Sequence, residues 1–411
     1  MLRIIHTADW HIGQTLAGHS RDFEHRAVLT ELAAIARARE ADALIIAGDI
    51  FDHQNPSGDA QKLFYETLIA LKAACPRMTI VVTAGNHDAA GRLEAPRALL
   101  HLSGIHVTGN IRRVNGMIDA ARHLVPLHDA YGKLAAHVLA VSHPTAACLP
   151  PLPRLDDVSG SPVAEATRAL YAELFAATQS LSAGLPLIVT GHLHVAGAIE
   201  SEGAERHILV GGQHAVPPDV FPVSAAYVAL GHLHKAQGIG RDTIRYSGSL
   251  LPLSATELSY RHGVTLVTLD VGKVVTDHIP VRRPVAFLRV PERGEIALDH
   301  LSAHLAALNL PADLPPHLRP FVQVWLSRDG LKSGFRTTVD ALAETFPIRL
   351  VETKVAPLAT ETAALVRDPV QRLSDLRPDD LFRQAFEIEL GREPALEHLQ
   401  AFHHALAAAG G

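Results

Sequence analysis

Short apolar runs recur along the first part of the chain, and five of them end directly at a cluster of polar residues. These strand-like runs are Arg3–Thr7, Ala43–Ala47, Ile80–Ala84, Leu187–Thr190 and Tyr227–Leu230. Short continuous apolar runs are typical of strands buried on both faces of a sheet. Between them, Gly58–Ala74 has apolar residues at helical spacing, and Pro162–Gln179 begins with proline where the first helical turn tolerates it. The alternation predicts an α/β fold for residues 1–280.

Each of the five runs is followed by side chains that bind metals. In chain order the clusters are Asp9-Trp10-His11, Gly48-Asp49 with Asp52 close behind, Gly85-Asn86-His87-Asp88, Gly191-His192 and Gly231-His232-Leu233-His234. Clusters at the carboxyl ends of strands converge at one edge of an α/β sheet. Carboxylate oxygens and imidazoles without a thiolate suit Mn, Fe or Zn in a two-metal hydrolytic centre. The pattern therefore predicts an enzyme that acts on a phosphate ester.

Each cluster taken alone has an ordinary explanation. The chain contains 26 His and 43 Asp plus Glu, so a single His-x-His can arise by chance. An Asp at a strand end is often a helix N-cap, which alone could account for Asp49. Chance does not place all five clusters in this order, each behind its own strand, so a common metal centre is the better explanation.

A second pattern begins near residue 281, where the metal-binding clusters stop. Its elements are a strand Val285–Val290, a helix near Leu298–Leu308, a strand Phe321–Leu326, a helix near Thr337–Thr345 and a strand Ile348–Thr353. This βαβαβ order predicts a small α/β domain over residues 281–356 with no chemistry of its own.

Residues 357–411 are expected to form a linker and a helical hairpin. Ala356–Asp368 lacks strong periodicity, Pro378 is placed to open a first helix, and Gly391 is placed to end it. Each predicted helix has one apolar stripe, formed by Leu381, Phe382, Ala385, Phe386 and Leu390 in the first and by Leu396, Leu399, Phe402 and Leu406 in the second. The hairpin could pack on its own domain or bind another chain, and the pattern leaves both open.

The composition indicates the cellular compartment of the protein but does not identify its substrate. No apolar run is long enough to span a bilayer, so we expect no membrane-spanning segment. Met1–Thr7 already belongs to the first strand, so we expect no signal peptide. Cys75 and Cys148 are too few for a disulfide framework, which favours the cytoplasm. The net charge of −6 argues mildly against nucleic acid. Bound metal ions would neutralise the carboxylates of the site, and a basic partner could supply further positive charge for binding nucleic acid.

The ordered clusters resemble those of the calcineurin-like metallophosphoesterases. The stretches RIIHTADWHIGQ, LIIAGDIFD, VVTAGNHD and ALGHLHKAQ, followed by RYSGS, look like the DNA-nuclease branch of that family. The resemblance covers essentially the whole chain. It implies a metallophosphoesterase sandwich over residues 1–280, a small α/β capping domain over 281–356, and over 357–411 a linker and helical segment that binds an ATPase partner.

The same resemblance implies a site that binds two divalent ions, with Mn²⁺ as the expected metal. The implied ligands of the first ion are Asp9, His11, Asp49 and His234, and those of the second are Asp49, Asn86, His192 and His232. Asp49 would bridge the two ions, which would together activate a water for attack on phosphorus.

Three further residues are catalytic candidates. His87 resembles the family's catalytic histidine, which stabilises the transition state and protonates the leaving oxygen. We expect Asp88 to fix the tautomer of His87. Asp52 stands where some relatives have a second catalytic histidine and His53 follows it, so the roles of both are open. His194 has ligand spacing after His192, but we expect it to lie outside the metal set.

For function, the resemblance implies a nuclease that degrades duplex ends in the 3′→5′ direction, nicks single strands, and opens hairpins and blocked ends in DNA repair and recombination. It implies a coiled-coil ATPase partner and a homodimer within a heterotetramer, paired through helices around Asp59–Ala74 and Arg92–Leu102. We expect Leu68 and Leu99 to lie in this homodimer contact. The alternative is a metallophosphatase or phosphodiesterase for a small ester, which would use the same metal centre. The extra domains beyond residue 281 favour the nuclease.

Overall fold

The computed structural model describes residues 1–152, 161–182, 184–201, 215–356, 382–383, 386–387 and 393–409. Its strands are β1 (Leu2–Thr7), β2 (Thr15–Leu16), β3 (His19–Ser20), β4 (Ala43–Ala47), β5 (Thr79–Thr83), β6 (Ile105–Thr108), β7 (Arg113–Val114), β8 (Met117–Ile118), β9 (Leu124–His128), β10 (Leu134–Leu139), β11 (Leu187–His192), β12 (Tyr227–Gly231), β13 (Gln237–Ile239), β14 (Arg241–Tyr246), β15 (Gly263–Asp270), β16 (Lys273–Pro280), β17 (Phe287–Val290), β18 (Phe321–Leu326) and β19 (Arg349–Val355). Its helices are α1 (Asp22–Ala38), α2 (Gly58–Ala74), α3 (Ala90–Glu94), α4 (Arg97–His101), α5 (Ala120–His123), α6 (Pro162–Gln179), α7 (Leu301–Ala306), α8 (Phe335–Ala343) and α9 (Leu396–Ala409).

Two six-stranded sheets form the first part of the molecule. One has the order β16-β15-β1-β4-β5-β6, and the other has the order β13-β14-β12-β11-β10-β9. The central strands β1, β4, β5 and β6 are parallel, as are β10, β11, β12 and β14. Both sheets therefore present the carboxyl ends of several neighbouring strands at one edge.

The sheets pack face to face, and helices cover their outer faces. Side chains from both inner faces, among them Ile4, Ile45, Val138 and Tyr227, form the core between the sheets. On the outer face of the first sheet, α1 and α2 contribute a core that contains Leu68. Helix α6 covers the second sheet in the same way. The predicted α/β sandwich is confirmed, as an α/β/β/α arrangement of layers.

One predicted helix of this region was wrong. The segment Arg92–Leu102 is two short helices, α3 and α4, which are separated at Ala95-Pro96. Proline has no amide hydrogen and clashes with the preceding turn, so a continuous helix cannot form there. By contrast, α2 has the bounds that its apolar spacing predicted.

The segment from β17 to β19 forms a separate small sheet of three parallel strands in the order β17-β18-β19. Its core contains Val322, Val324, Leu301 and Val339, from the central strand and from α7 and α8. A second cluster, of Leu16, Val285, Phe287 and Phe321, joins this sheet to the first part of the chain. Arg349 reinforces the junction, because its guanidinium lies 3.6 Å from the ring centroid of Phe321 and donates to the Ser20 carbonyl.

Much of the predicted tail lies outside the described residues, including the linker up to Asp368, Pro378, Leu381, Ala385, Leu390 and Gly391. Where the tail is described, the rings of Phe382 and Phe402 stack at 4.3 Å between centroids, and Phe386 lies 4.7 Å from His398. The two apolar stripes therefore contact each other. Leu396 nevertheless remains 72% exposed. None of the helices in the described part of the chain has the length and apolar character needed to cross a membrane.

Candidate metal centre

The polar clusters of the two sheets meet where the carboxyl ends of their central strands come together. Asp9 and His11 follow β1, Asp49 follows β4, and Asn86 follows β5, while β11 ends at His192. His232 and His234 follow β12. Asp9, His11, Asp49 and His232 all have positive φ, at 54°, 46°, 50° and 98°. Such backbone conformations are unfavourable for non-glycine residues, and they cluster at functional sites.

Glycines allow these loops to approach one another closely. A Cβ atom on Gly48 would overlap the His192 ring, and one on Gly85 would overlap the Asp49 carboxylate. A Cβ atom on Gly231 would overlap the Ala47 carbonyl. Gly48 also has a φ of +90°, which permits the tight turn before Asp49. The glycines before Asp49, Asn86 and His232 are therefore packing requirements of the site.

Asp9, His11 and His234 form the first group of donor atoms, all within 4.8 Å of one another. The Asp9 Oδ2 and His11 Nε2 atoms are buried and have no hydrogen-bond partner in the described part of the chain. A buried polar atom without a partner is costly, so two such atoms facing one another need a further binding group. A divalent cation fits this position, since carboxylate and imidazole are suitable ligands.

Asp49 lies between this group and a second one. Its Oδ2 atom is 3.5 Å from His11 Nε2 and 3.3 Å from His192 Nε2. Asn86 extends the second group, because its Oδ1 atom is 3.0 Å from His192 Nε2 and 3.2 Å from His232 Nδ1. One carboxylate thus lies between both groups of donor atoms.

Backbone groups orient the imidazoles. His192 Nδ1 lies 2.8 Å from the Ala47 carbonyl and donates to it, which leaves Nε2 for the site. The His232 amide donates to Asp9 Oδ1 at 2.9 Å, so the loop after β12 is tied to the loop after β1. These contacts arrange the donors before any ligand is bound.

The charges of the site depend on one another. Burial raises the pKa of Asp9 to about 7. Burial opposes a charge on His192 as well, but the Asp49 carboxylate outweighs it and raises the pKa of His192 to about 9. Burial also acts against the Asp49 anion, yet the neighbouring His192 and His11 hold its pKa well below the usual range. Carboxylates and imidazoles that share protons in this way would exchange them for a bound cation.

His87 borders the metal-binding atoms. Its amide donates to Asp49 Oδ1 at 2.9 Å, and its Nδ1 lies 2.7 Å from the Asp52 carbonyl. Its ring is 4.7 Å from that of His11. The Asp52 carboxylate contacts His11 Nδ1 at 3.2 Å and His53 Nε2 at 3.0 Å. Asp52 therefore orients both His11 and His87, through different atoms.

The expected contact between Asp88 and His87 was wrong. The buried Asp88 carboxylate accepts hydrogen bonds from the amides of Gly85, Ile50 and Phe51, at 2.8, 3.2 and 3.0 Å. Burial and the charge of Asp49 raise the pKa of Asp88 to about 6. Asp88 thus joins the loop after β5 to the loop after β4, and the Asp52 carbonyl orients His87 in its place.

Three other residues, His194, His143 and Glu257, lie near the proposed metal ligands in the sequence or contact them. His194 lies outside the donor groups and pairs with Glu200, with 2.9 Å between Nε2 and Oε1. His143 was not predicted from the sequence, although it follows the apolar run Leu134–Val141 much as the other polar residues follow their strands; it contacts the His192 carbonyl at 2.9 Å. Glu257 was not predicted either; it contacts His234 Nδ1 at 2.8 Å, and no comparable pattern in the sequence marks it.

Comparison with known proteins first gives the class. Residues 2–236 match the family model described as calcineurin-like phosphoesterase, and residues 283–389 match the model described as Type 5 capsule protein repressor C-terminal domain. With the two-sheet fold and the buried donor groups, the first match defines a metal-dependent phosphoesterase.

Similar proteins then narrow the class. The chain is 48% identical to the SbcD subunit of the nuclease SbcCD of Rhodobacter capsulatus, over 94% of each chain. It is 38% identical to the Bacillus subtilis protein of the same name, over 67% of this chain and 68% of that one. For the Escherichia coli K12 protein the identity is 30%, over 97% and 96%. The chain belongs to the SbcD family of nuclease subunits.

Proposed function

We propose that the chain is the Mn²⁺-dependent nuclease subunit of a complex with an SbcC-like coiled-coil ATPase, and that it hydrolyses DNA phosphodiesters in cytoplasmic repair and recombination. The observation that carries the proposal is the convergence of the strand-end clusters on Asp49, whose Oδ2 atom lies between His11 and His192. The relatives are named as SbcD subunits of the nuclease SbcCD, and these names support DNA as the substrate and an SbcC-type partner.

The proposed ligand sets follow the two donor groups. Asp9, His11, Asp49 and His234 would hold one ion, and Asp49, Asn86, His192 and His232 would hold the other. When bound, such a pair of divalent ions activates water and neutralises the charge on the phosphate. The neutral amide of Asn86 keeps the negative charge of the set low, which favours the approach of an anionic diester.

His87 is the proposed catalytic acid. Its Nδ1 atom faces the Asp52 carbonyl, so only Nε2 is left to hold a proton for the leaving oxygen. Asp52 is then a positioning residue for His87 and His11. Asp88 fixes the two loops on which Asp49 and His87 stand.

The proposed division of the chain is a nuclease domain over residues 1–280, a capping domain over 281–356 and an ATPase-binding segment over 357–411. The first region contains every proposed ligand, and the small parallel sheet of β17, β18 and β19 has a core of its own. The capping domain contacts the nuclease domain beside β2 and β3, the hairpin that follows His11. From this position it can limit access of DNA to the site.

The proposed partner surfaces consist of exposed apolar residues. Ile69 on α2, Leu99 on α4 and nearby Leu102 are 69%, 73% and 84% exposed. We propose that they form a homodimer contact within a heterotetramer. Leu68, which the sequence pattern assigned to this contact, is only 1% exposed and belongs to the core. The exposed Leu396 of α9 is the corresponding apolar position on the segment proposed to bind the ATPase.

The proposed activities are 3′→5′ degradation of duplex ends, endonucleolytic cutting of single strands, and opening of hairpins and blocked ends. The test compares Mn²⁺-dependent cleavage of linear duplex DNA, with and without the ATPase and ATP, with hydrolysis of a simple aryl phosphodiester and an aryl phosphomonoester. Cleavage of the duplex that shortens its 3′ ends supports the proposal. Rapid monoester hydrolysis without DNA cleavage would instead identify a small-ester phosphatase.

A further inference from the structure

Glu257 is a buried carboxylate that touches a proposed metal ligand from behind. Its side chain is 0% exposed, and its Oε1 atom lies 2.8 Å from Nδ1 of His234. The Leu253 amide donates to Oε2 at 2.8 Å, and the Ser201 hydroxyl donates to Oε1 at 3.2 Å. Both carboxylate oxygens are therefore used, one of them on His234.

This contact determines which ring nitrogen of His234 faces the site. An ionised carboxylate can only accept hydrogen bonds, so His234 Nδ1 carries the hydrogen and donates it to Glu257. The lone pair is then on Nε2, and one ring nitrogen of His234 lies within 4.8 Å of donor atoms of Asp9 and His11. Carboxylates that orient a metal-binding histidine in this way also make the ring a stronger ligand.

The turn that contains Glu257 is fixed by a side-chain cap and by packing on both sides of the carboxylate. It ends a short 3₁₀ turn, Ala255–Glu257, that the Ser254 side chain caps by accepting from the Thr256 amide. Ala255 and Leu258, on either side, pack against the junction cluster that contains Leu16 and Phe287. The carboxylate therefore reaches His234 from a turn anchored between the two domains.

We propose that Glu257 is the positioning residue of the first metal site, fixing the tautomer and the direction of His234. The proposal rests on the proposed role of His234 as a ligand. It predicts that Glu257 controls metal affinity at one of the two sites.

Substitution of Glu257 by Gln is a sharp test because the shape is kept. A glutamine amide has one accepting oxygen and one donating nitrogen. If the oxygen faces His234, the nitrogen confronts the Leu253 amide, which is also a donor. If the oxygen faces Leu253, the nitrogen donates to His234 Nδ1, and the hydrogen of the neutral ring must move to Nε2, where it blocks metal binding. Neither orientation restores both native contacts.

The experiment measures Mn²⁺ binding to the metal-free full-length protein by titration calorimetry, together with the rise in melting temperature on adding Mn²⁺. In Glu257→Gln, we expect one of two sites to weaken by roughly 10–100-fold and the other to stay unchanged. The metal-dependent rise in melting temperature should shrink accordingly. Glu257→Asp, which keeps two accepting oxygens, should recover part of the affinity, and it replaces the Gln variant if that protein does not fold.

Two comparison variants separate the possible outcomes. Glu200→Gln makes the same change at the carboxylate beside His194, outside the site, and should bind Mn²⁺ like the wild type. His234→Ala should weaken the same single site. If His234→Ala weakens binding but Glu257→Gln does not, the role of Glu257 is refuted and the ligand set stands. If His234→Ala binds both ions like the wild type, the ligand set itself is wrong.

Discussion

His6 is a buried histidine that connects the two sheets that carry the proposed ligands, and its burial should make the fold sensitive to acid. It lies in β1, three residues before Asp9, and it is 0% exposed. Its Nδ1 is 2.9 Å from the Tyr227 hydroxyl, and its Nε2 is 3.1 Å from the Leu230 carbonyl. Both partners belong to β12, which leads to His232. The perturbation that we consider is replacement of His6 by Gln, which keeps a neutral hydrogen-bonding side chain.

The size of the effect follows from the pKa of His6. Burial is the largest cause, and it lowers this pKa from 6.5 to about 3 in the folded protein. Between pH 6.5 and about 3, His6 is therefore protonated in the unfolded chain but stays neutral in the folded protein. The free energy of unfolding consequently falls as the pH falls from 6.5 toward 3. Over two pH units, from 6.5 to 4.5, this one group removes about 2 kcal/mol of stability.

The assay is urea unfolding of the metal-free protein, followed by circular dichroism at pH 6.5 and 4.5. The loss of stability between these two pH values should be smaller in His6→Gln than in the wild type by about 2 kcal/mol. His128→Gln, at an exposed position, is the matched control and should lose as much stability as the wild type. Equal losses in His6→Gln and wild type would refute this prediction, because the buried His6 would then not contribute to the loss of stability in acid.

Three other predictions concern the site and the partner surfaces. Asp49→Ala should lose both metals and all activity, whereas His87→Ala should keep both metals and lose roughly 10²–10⁴ in rate. If elemental analysis finds Mn²⁺ tightly bound at both sites of Asp49→Ala, Asp49 does not bridge the two ions. Replacing Ile69 and Leu99 by Glu should convert a dimer into a monomer in light scattering, and a wild type that is already monomeric at micromolar concentration would argue against this contact. A chain ending at Ala356 should retain aryl phosphodiesterase activity but lose co-purification with the ATPase, and co-purification at full strength would place the docking surface elsewhere.

The strands and their polar ends could be predicted because each depends on local sequence. The apolar run Ala43–Ala47 has the bounds of β4, and Asp49 follows it in the loop at the edge of the sheet. The apolar spacing of α2 also gave the correct helix, but not what its apolar residues contact. Leu68 belongs to the stripe that faces the molecule's own sheet, while the exposed Ile69 lies beside that stripe. An apolar stripe indicates burial, and it does not say against which surface.

The supporting contacts of the site could not be predicted, because they join loops that are distant in the sequence. Asp88 is adjacent to His87, yet its carboxylate bonds to amides of Ile50 and Phe51 in another loop. Glu257 reaches His234 from a turn 23 residues further along. Neither contact has a spacing rule, since each depends on how the loops pack. In contrast, the break between α3 and α4 had a local signal, Pro96, that outweighs the apolar spacing around it.

Anomalous X-ray diffraction at the manganese absorption edge, from crystals of the protein grown with Mn²⁺, would test the two-metal centre directly. We expect two peaks about 3.5–4 Å apart on either side of Asp49, one contacting Asp9 and His234 and the other contacting Asn86 and His192. A single peak would contradict the two-metal centre. So would a peak among His11, Asp52 and His87, whose donor atoms also lie within 4.8 Å of one another and offer an alternative place for a cation.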